Sequence, residues 1–590
     1  MNAPETYYTE LARTQLDRAR RLQQCYDRLA IVRLLFVVGF VGLLIFSWST
    51  GFWAGALTTL TGTVLLAFGV RYHQRIGQAA AGARVQGQLA EAEITGLAHQ
   101  FSQWPDGREY ASPDHPYAGD LDIFGPHSLF QYLNRTVTAI GSHRLAEQLS
   151  IPAPHPVSET RRAAGRELAT RPDWCMEFRT RGNELADDPA YARRLLEWAN
   201  RPAVVTGAYA RAMRFAAPAL SAIGIWFSFT QQPWQLGLLF FIPAFLLLRR
   251  YSEAAATEHA YTAQAGRILQ GYQRLFQHME AEASELPTAS AAIGRLSFYV
   301  SQLDVRYNPF VFMLEITGLW SIQWLYRLDS WRTAHRDDLP RWLEALAETD
   351  ARVSWATLRF NQPTWTEPEL TDEKVLQATG LAHPLLPPTG RVTNDVSMST
   401  DGHIDLVTGS NMAGKSTWLR TVGINIVLAR AGGPVCALRL RTAALQVWTS
   451  MRTHDDLSES TSSFYAELKR LKAIIEAVSD SEQQVFFLLD EILKGTNSRD
   501  RHTGSRALIR QLIRERGAGI IATHDLELAA LENEPGSRVE NYAMEVQTKN
   551  GELVFDYKLH RGVSRSFNAT ALMARMGIDI DPEDIKLTHD

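Results

Sequence analysis

Residues 404–417 read IDLVTGSNMAGKST, and this stretch decides the fold of the C-terminal part of the chain. A short apolar segment leads into the pattern G-x4-G-K-S at 409–416, and a helical pattern follows. This order of strand, glycine-rich loop and helix is typical of a P-loop. Its backbone N–H groups and the N-terminus of its helix hold phosphate oxygens. We therefore expect Lys415 to contact the terminal phosphates and the Ser416 hydroxyl to bind Mg²⁺.

Two acidic residues end a second apolar strand pattern, VFFLLDE at 485–491. Asp490 is placed to hold Mg²⁺ through water, and Glu491 to orient and polarise a water that attacks the terminal phosphate. A further apolar segment at 519–522 precedes His524, which can hydrogen-bond that water or the γ-phosphate. Each feature alone is usually structural, but their order and spacing predict the hydrolysis of a bound nucleotide with Mg²⁺. The predicted catalytic residues are Glu491, His524 and Lys415, and the predicted metal ligands are Ser416 and Asp490.

Composition limits the remaining classes of function. The 590 residues include 60 Lys and Arg against 64 Asp and Glu, and 45% are hydrophobic. These values exclude a disordered chain and a polybasic nucleic-acid binder, so any contact with DNA must be a local patch. The three cysteines have neither disulfide-framework nor zinc-ligand spacing and indicate a reducing compartment. They are Cys25, Cys175 and Cys436.

Two apolar hairpins predict membrane anchoring. Residues 34–48 carry no charge, and a second apolar run follows at 52–70; arginines stand at both outer ends. Each run is long enough to cross a bilayer core, and this charge pattern predicts a hairpin with both ends in the cytoplasm. The pattern recurs at 215–230 and 236–248. We expect a multi-pass protein of the plasma (inner) membrane with its soluble domains in the cytoplasm.

An alternative interpretation places these four runs as buried helical hairpins in a large soluble core. A fifth apolar run, 310–326, contains Glu315 and Gln323. We expect it to form an amphipathic packing helix rather than a further span.

The loop sequence closely resembles that of MutS-type ATPases, since TGSNMAGKST at 408–417 matches their usual TGPNMGGKST. Four further segments resemble the family in the same order: DDLSESTSSFYAEL at 455–468, LLDEILKGTNSRD at 488–500, ATHDLEL at 522–528 and GVSRSFNATALMARMGI at 562–578. The last resembles the family's closing helical segment, which helps to pair two ATPase domains. The resemblance spans roughly 380–590 and implies a homodimer through these domains.

Site residues carry over position by position. The resemblance implies that Ser462 reaches the partner subunit's γ-phosphate, and that Val392 and Tyr557 pack near adenine. Ser410 and Ala413 depart from the family's Pro and Gly, and residues 499–501 depart from its YDG, without removing a catalytic group. The implied nucleotide-binding residues are Gly409, Ser410, Asn411, Met412, Ala413, Gly414, Lys415, Ser416, Thr417, Val392 and Tyr557.

Upstream the resemblance is weaker. Residues 121–152 and 345–363 resemble the two ends of the MutS helical core, and the helical stretch 253–285 is expected to act as a lever that runs back from the membrane. Residues 1–118 read as a hairpin and a helical connector instead of the family's mismatch-reading domain, so classical mismatch recognition is expected to be lost.

The expected fold is an α/β P-loop NTPase domain, ABC-type and MutS-like, after an all-α core and lever region with two transmembrane helical hairpins. The expected domains are an N-terminal helix at 1–30, a transmembrane hairpin at 31–70, a connector at 71–118, the first part of the core at 119–202, a second hairpin at 203–250, the lever and second part of the core at 251–375, and the ATPase domain at 376–590.

Two functions remain open at this stage. The first is a membrane-anchored, ATP-dependent dimeric clamp that binds double-stranded DNA in DNA repair or maintenance. The second is a nucleotide-driven membrane switch that acts on an unknown protein partner and has no DNA role. Active transport fits poorly, because the apolar runs offer no polar path. Candidate phosphate contacts, which are also typical of solvated helix faces, are Lys469, Arg470, Lys472, Arg506, Arg510, Arg514 and Arg516.

Overall fold

The computed structural model describes residues 3–183, 185, 187–231, 233–262, 265–281, 288–305, 309–410, 412–452, 463–480, 484–549 and 552–564. The chain divides into two compact units. Unit 1 comprises Met1–Glu91, Thr136–Arg144 and Asp173–Ala351. Unit 2 comprises Ala92–Arg135, Leu145–Pro172 and Arg352–Asp590. The expected first part of the helical core, 119–202, is therefore shared between the two units.

The helices of the described residues are α1 (Ala3–Thr50), α2 (Phe52–Leu97), α3 (Leu129–Leu133), α4 (Ala139–Ser150), α5 (His155–Ala169), α6 (Pro172–Gly182), α7 (Tyr191–Ala199), α8 (Ala208–Thr230), α9 (Ile242–Thr262), α10 (Ala265–Glu280), α11 (Ala289–Asp304), α12 (Pro309–Gly318), α13 (Trp320–His335), α14 (Leu339–Asn361), α15 (Lys415–Ala431), α16 (Ser463–Ser479) and α17 (Ser498–Arg514). The strands are β1 (Glu369–Thr371), β2 (Val375–Leu381), β3 (Asn394–Ser399), β4 (Ile404–Thr408), β5 (Arg439–Ala443), β6 (Gln446–Ser450), β7 (Val485–Asp490), β8 (Ala518–Thr523), β9 (Val539–Lys549) and β10 (Glu552–Arg561).

The first apolar hairpin lies within two long helices of unit 1. The helices α1 and α2 meet at Gly51, and both are long and apolar enough to cross a membrane by length and composition. Their apolar side chains face outward; Phe46 is 66% exposed and Trp53 is 83% exposed. A hairpin buried in a soluble core does not fit these exposures. The expected helix 1–30 is the start of α1, and the expected connector 71–118 is part of the long helix α2 only as far as Leu97.

The second hairpin differs from the prediction of two equal spanning helices. Among the described residues of this hairpin, α8 alone forms a helix that is long and apolar enough to span a membrane. The run 236–248 forms a 3₁₀-helix over Trp234–Phe241 and then enters α9. Pro243 is the second residue of α9, a position where proline's missing N–H breaks no hydrogen bond of the helix.

One other helix expected to be continuous is interrupted. The single helix predicted over 310–326 is wrong, because α12 and α13 are separated by Leu319, whose φ is +54°. A non-glycine residue in this left-handed region ends an α-helix. The stretch 253–285, expected to form a lever, is helical in its described part, which comprises the second half of α9 and all of α10.

Unit 2 contains an α/β domain with two mixed sheets. The larger sheet has the strand order β10-β9-β4-β8-β7-β6, in which only β10 is antiparallel to its neighbour. Every residue of β4 and β8 is buried, as apolar runs in a covered parallel sheet require. The smaller sheet has the order β1-β5-β2-β3. This α/β domain and the helices before it confirm the coarse fold class.

The two upstream segments that resemble the MutS core come together within unit 1. Buried Asp350 on α14 accepts hydrogen bonds from the Val137 N–H at 3.0 Å, the Thr138 N–H at 2.8 Å and the Thr138 hydroxyl at 2.6 Å. These donors lie just before α4, so one carboxylate fixes the start of that helix against α14.

We predict that Asp350→Ala destabilises the protein by roughly 2–4 kcal/mol, because it leaves buried donors without an acceptor. Thermal unfolding of the detergent-solubilised protein measures this effect. The control is Asp337→Ala, whose side chain is exposed. Equal unfolding midpoints for the two variants would contradict a structural role for Asp350.

Candidate functional site

The candidate site lies at one edge of the larger sheet. Since β4 pairs in parallel with β8, and β8 with β7, the three strands end side by side. The first residue beyond β4 is Gly409, the first beyond β7 is Glu491, and the first beyond β8 is His524. Parallel pairing therefore brings together three segments that are far apart in sequence.

Two glycines shape the loop between β4 and α15. A Cβ on Gly409 would lie 2.4 Å from the carbonyl oxygen of Met544, so only glycine fits there. Gly414 has a φ of +99°, and a Cβ on it would lie 2.9 Å from the Tyr557 ring. Within the loop Met412 is exposed and Ala413 is buried, whereas Asn411 lies outside the described residues.

Lys415, the first residue of α15, reaches back into this loop. Its ammonium donates to the carbonyl oxygens of Gly409 at 2.6 Å and Ser410 at 2.9 Å. The side chain is almost fully buried, and burial lowers its pKa against the opposing influence of Glu491 and Asp490. A buried cation at a helix N-terminus is an environment suited to an anion.

Ser416 and Asp490 form the second part of the site. The Ser416 hydroxyl donates to the Asp490 carboxylate at 2.5 Å, although the residues are 74 positions apart. Hydroxyl and carboxylate oxygens are hard ligands that suit Mg²⁺. The next residue of the helix, Thr417, accepts a hydrogen bond from Thr421 through its carbonyl oxygen.

Glu491 is held in an unusual backbone conformation. Its φ is +54°, and its N–H donates to the carbonyl oxygen of Ala522 on β8 at 2.9 Å. Its carboxylate lies 3.5 Å from His524 Nδ1 and 3.8 Å from Lys494 Nζ. The structure thus brings Glu491 and His524 together and adds Lys494, which no sequence pattern singled out. A cavity of about 450 Å³ adjoins Asp490 and Glu491.

The turn after Glu491 has a support that the sequence did not reveal. Leu493 also has a positive φ, +60°, and its N–H donates to the Glu467 carboxylate of α16 at 2.5 Å. Burial raises the pKa of Glu467. This buried carboxylate fixes the segment between Glu491 and Lys494.

A second support holds the segment that carries His524. His502 on α17 lies with Nδ1 3.0 Å from the Asp525 carboxylate and Nε2 3.6 Å from that of Glu527. Asp525 also receives the Glu527 N–H at 3.1 Å. The only sequence signal for this contact was a histidine in the helix after Glu491, which is too weak to assign alone.

Tyr557 lies over the loop, at the irregular pairing of β9 and β10. Its φ is +53°, and its ring is stacked with that of Phe555 at 5.9 Å. The Asn394 side chain donates to the Tyr557 carbonyl at 3.0 Å. Val392 is half-buried in the segment just before Asn394. Ser462 lies outside the described residues, as do residues 565–578 of the pairing segment.

Several basic side chains considered as DNA contacts are bound within unit 2. Arg470 donates to the carbonyl oxygens of Thr449 at 2.8 Å and His115 at 3.0 Å, and burial lowers its pKa. Glu534 forms ion pairs with Arg506 and Arg510, and Asp401 forms one with Arg516. These contacts favour the interpretation of those residues as structural faces.

Part of the chain is similar in sequence to known proteins. Residues 405–578 match the family model MutS domain V. The DNA mismatch repair protein MutS of Granulibacter bethesdensis is 33% identical over 237 residues, which cover 39% of this chain and 25% of that protein. For the same-named protein of Methanosarcina mazei the values are 34% over 241 residues, 39% and 26%. The matches support a MutS-family protein, and the chain covers about a quarter of these relatives.

We predict that His502→Ala lowers kcat for ATP hydrolysis about tenfold with little change in KM. The substitution removes the contact that fixes the segment carrying His524, but it leaves the loop 409–414 unchanged. His502→Gln, which retains a hydrogen-bond donor toward Asp525, restores most of the rate. The control is His560→Ala, a side chain at the exposed edge strand β10. Steady-state kinetics with wild-type rates for His502→Ala would rule out this positioning role.

Proposed function

We propose that this protein is a membrane-anchored MutS-like ATPase. In this proposal ATP and Mg²⁺ close a homodimeric clamp that acts on double-stranded DNA in DNA repair or maintenance, without classical mismatch reading. The observation that carries the proposal is the meeting of Lys415, the Ser416–Asp490 pair and the Glu491–His524 pair at one sheet edge.

Each residue has a chemical role in this proposal. The loop 409–414 and the start of α15 hold the phosphates through backbone N–H groups, while Lys415 neutralises their charge. Ser416 and Asp490 would hold Mg²⁺, which neutralises charge developing on the phosphate oxygens. Glu491 accepts a proton from the attacking water, and His524 orients that water or the γ-phosphate.

The adenine and partner contacts complete the proposed site. The partly exposed Tyr557 ring, 43% accessible, offers an apolar face beside Gly414, with Val392 on the neighbouring segment. Ser462 would act across the dimer on the partner subunit's nucleotide. The relatives are DNA mismatch repair proteins by name, which supports DNA as the ligand of the clamp.

Membrane anchoring rests on the long apolar helices of unit 1. Exposed apolar faces on α1, α2 and α8 support insertion into the plasma (inner) membrane, with the soluble parts in the cytoplasm. A second candidate is a nucleotide-driven membrane switch that acts on a protein partner. The internal ion pairs of Arg506, Arg510 and Arg516 favour this alternative, because they reduce the charge available for DNA phosphates.

We predict that Glu491→Gln lowers ATP turnover at least ~100-fold while nucleotide binding persists, because the general base is lost and the phosphate loop is intact. The trapped closed dimer is measured by light scattering in detergent with ATP. Lys415→Ala is the matched control, since it should lose nucleotide affinity instead. Undiminished turnover in Glu491→Gln would refute its assigned role.

The same variant tests the clamp on DNA. With ATP, Glu491→Gln should bind a fluorescent DNA duplex at 50 mM salt and lose at least ~10-fold in affinity at 200 mM, because phosphate contacts release counterions. Fluorescence anisotropy with and without ATP measures both effects. ATP-dependent dimerisation without DNA binding at low salt would favour the switch on a protein partner.

A further inference from the structure

The short helix α12, which lies outside the two apolar hairpins, exposes large apolar side chains. It packs against α8 and α9 within unit 1, and Val311 is buried there. Met313 and Leu314 nevertheless remain 65% and 47% exposed. Large apolar side chains such as these are stabilised when they leave water. Because Met313 and Leu314 are exposed beside the apolar helix α8, we expect an apolar environment rather than water to surround them.

The one charged residue of α12 is neutralised within the protein. Glu315 accepts hydrogen bonds from the Ser321 N–H at 2.9 Å and the Ser321 hydroxyl at 3.0 Å, across the break at Leu319. These bonds tie the charge to the start of α13. The part of α12 before Glu315 is entirely apolar.

Aromatic and cationic side chains come together where α8 and α13 lie next to α12. The Arg214 guanidinium lies 3.6 Å from the centre of the Tyr326 ring, and that of Arg327 lies 4.4 Å from the Trp324 ring. Trp324 also contacts Phe298 edge-on at 5.5 Å. We call these five residues the collar.

The collar is fixed to the start of α8. The Gln323 side chain on α13 donates to the Arg214 carbonyl oxygen at 2.7 Å. The Trp320 indole N–H donates to the Gln302 carbonyl at 2.9 Å, which holds α13 against the end of α11. The aromatic and basic groups of the collar therefore keep a defined position near the N-terminus of α8, where its apolar run begins.

We propose that α12 inserts into the membrane interface beside α8 and α9, with the collar at the level of the phospholipid phosphates. Trp and Tyr prefer this level, and guanidinium groups pair with phosphate through several N–H donors. A lipid occupant is favoured over a protein because α12 packs against α8, a helix apolar enough to span a membrane, on which Phe215 and Ile223 are also exposed. The inference rests on the membrane anchoring proposed above and extends it to a segment that does not span.

The test places a nitroxide on α12 in the full chain. Met313→Cys is made in a Cys25→Ser background, since Cys175 and Cys436 are buried. The protein is reconstituted into vesicles of phosphatidylcholine and phosphatidylglycerol. Power saturation then gives the ratio of accessibility to oxygen over accessibility to a nickel chelate. The references are Ile223→Cys on α8 and Arg193→Cys, an exposed residue on α7.

The label at position 313 should give a ratio near that of Ile223→Cys and at least ~3-fold above that of Arg193→Cys, as an interfacial helix requires. A lipid-like ratio at 223 with a water-like ratio at 313 overturns the inference and leaves the anchoring intact. Water-like ratios at both positions overturn the inference and the anchoring of α8 together.

A charge reversal tests the collar. Arg327→Glu should lower the ratio at position 313 at least ~2-fold, because a carboxylate is repelled by lipid phosphates. Arg336→Glu, an exposed arginine just past the end of α13, is the matched control and should leave the ratio unchanged. Equal ratios for the two variants overturn the placement of the collar at the phosphates.

Discussion

The parallel pairing of β4, β8 and β7 is the constraint on which the rest of the candidate site depends. Parallel strands that are paired end at the same edge of a sheet. The loop 409–414, the carboxylates of Asp490 and Glu491, and His524 therefore converge although they are far apart in sequence. The convergence is then locked by specific contacts. Ser416 bonds to Asp490, and the Glu491 N–H bonds to the carbonyl of Ala522.

The sequence predicted the parts of this site that local patterns encode. A buried strand, a glycine loop and a helix occur within a single stretch, and the acidic pair ends a second strand. The supports were not predictable because they join distant segments: Glu467 to Leu493, and His502 to Asp525. No hydrophobic period or turn signal records which distant donor meets which carboxylate.

In the helical region, apolar length predicted where helices form but not where they break. Apolar length correctly identified long helices at the first hairpin, where α1 and α2 are unbroken. It was wrong where a backbone detail decided the outcome. At 236–248 a 3₁₀ segment precedes Pro243, and at 310–326 a single left-handed residue, Leu319, divides the helix. Average hydropathy does not distinguish such breaks from continuous helices.

The C-terminal end of helix α2 belongs to unit 2 and is held there by a buried ion pair. The N-terminal part of α2 carries the apolar run 52–70, while Glu93 near its C-terminus is fully buried. Glu93 accepts from Arg135 Nε at 2.6 Å and from the side chain of Asn361, the last residue of α14, at 2.9 Å. Separating one partner from such a pair costs about 3–5 kcal/mol, because the other charge stays buried. A rearrangement that displaced Arg135 or Asn361 would therefore carry the end of α2 with it rather than leave Glu93 behind.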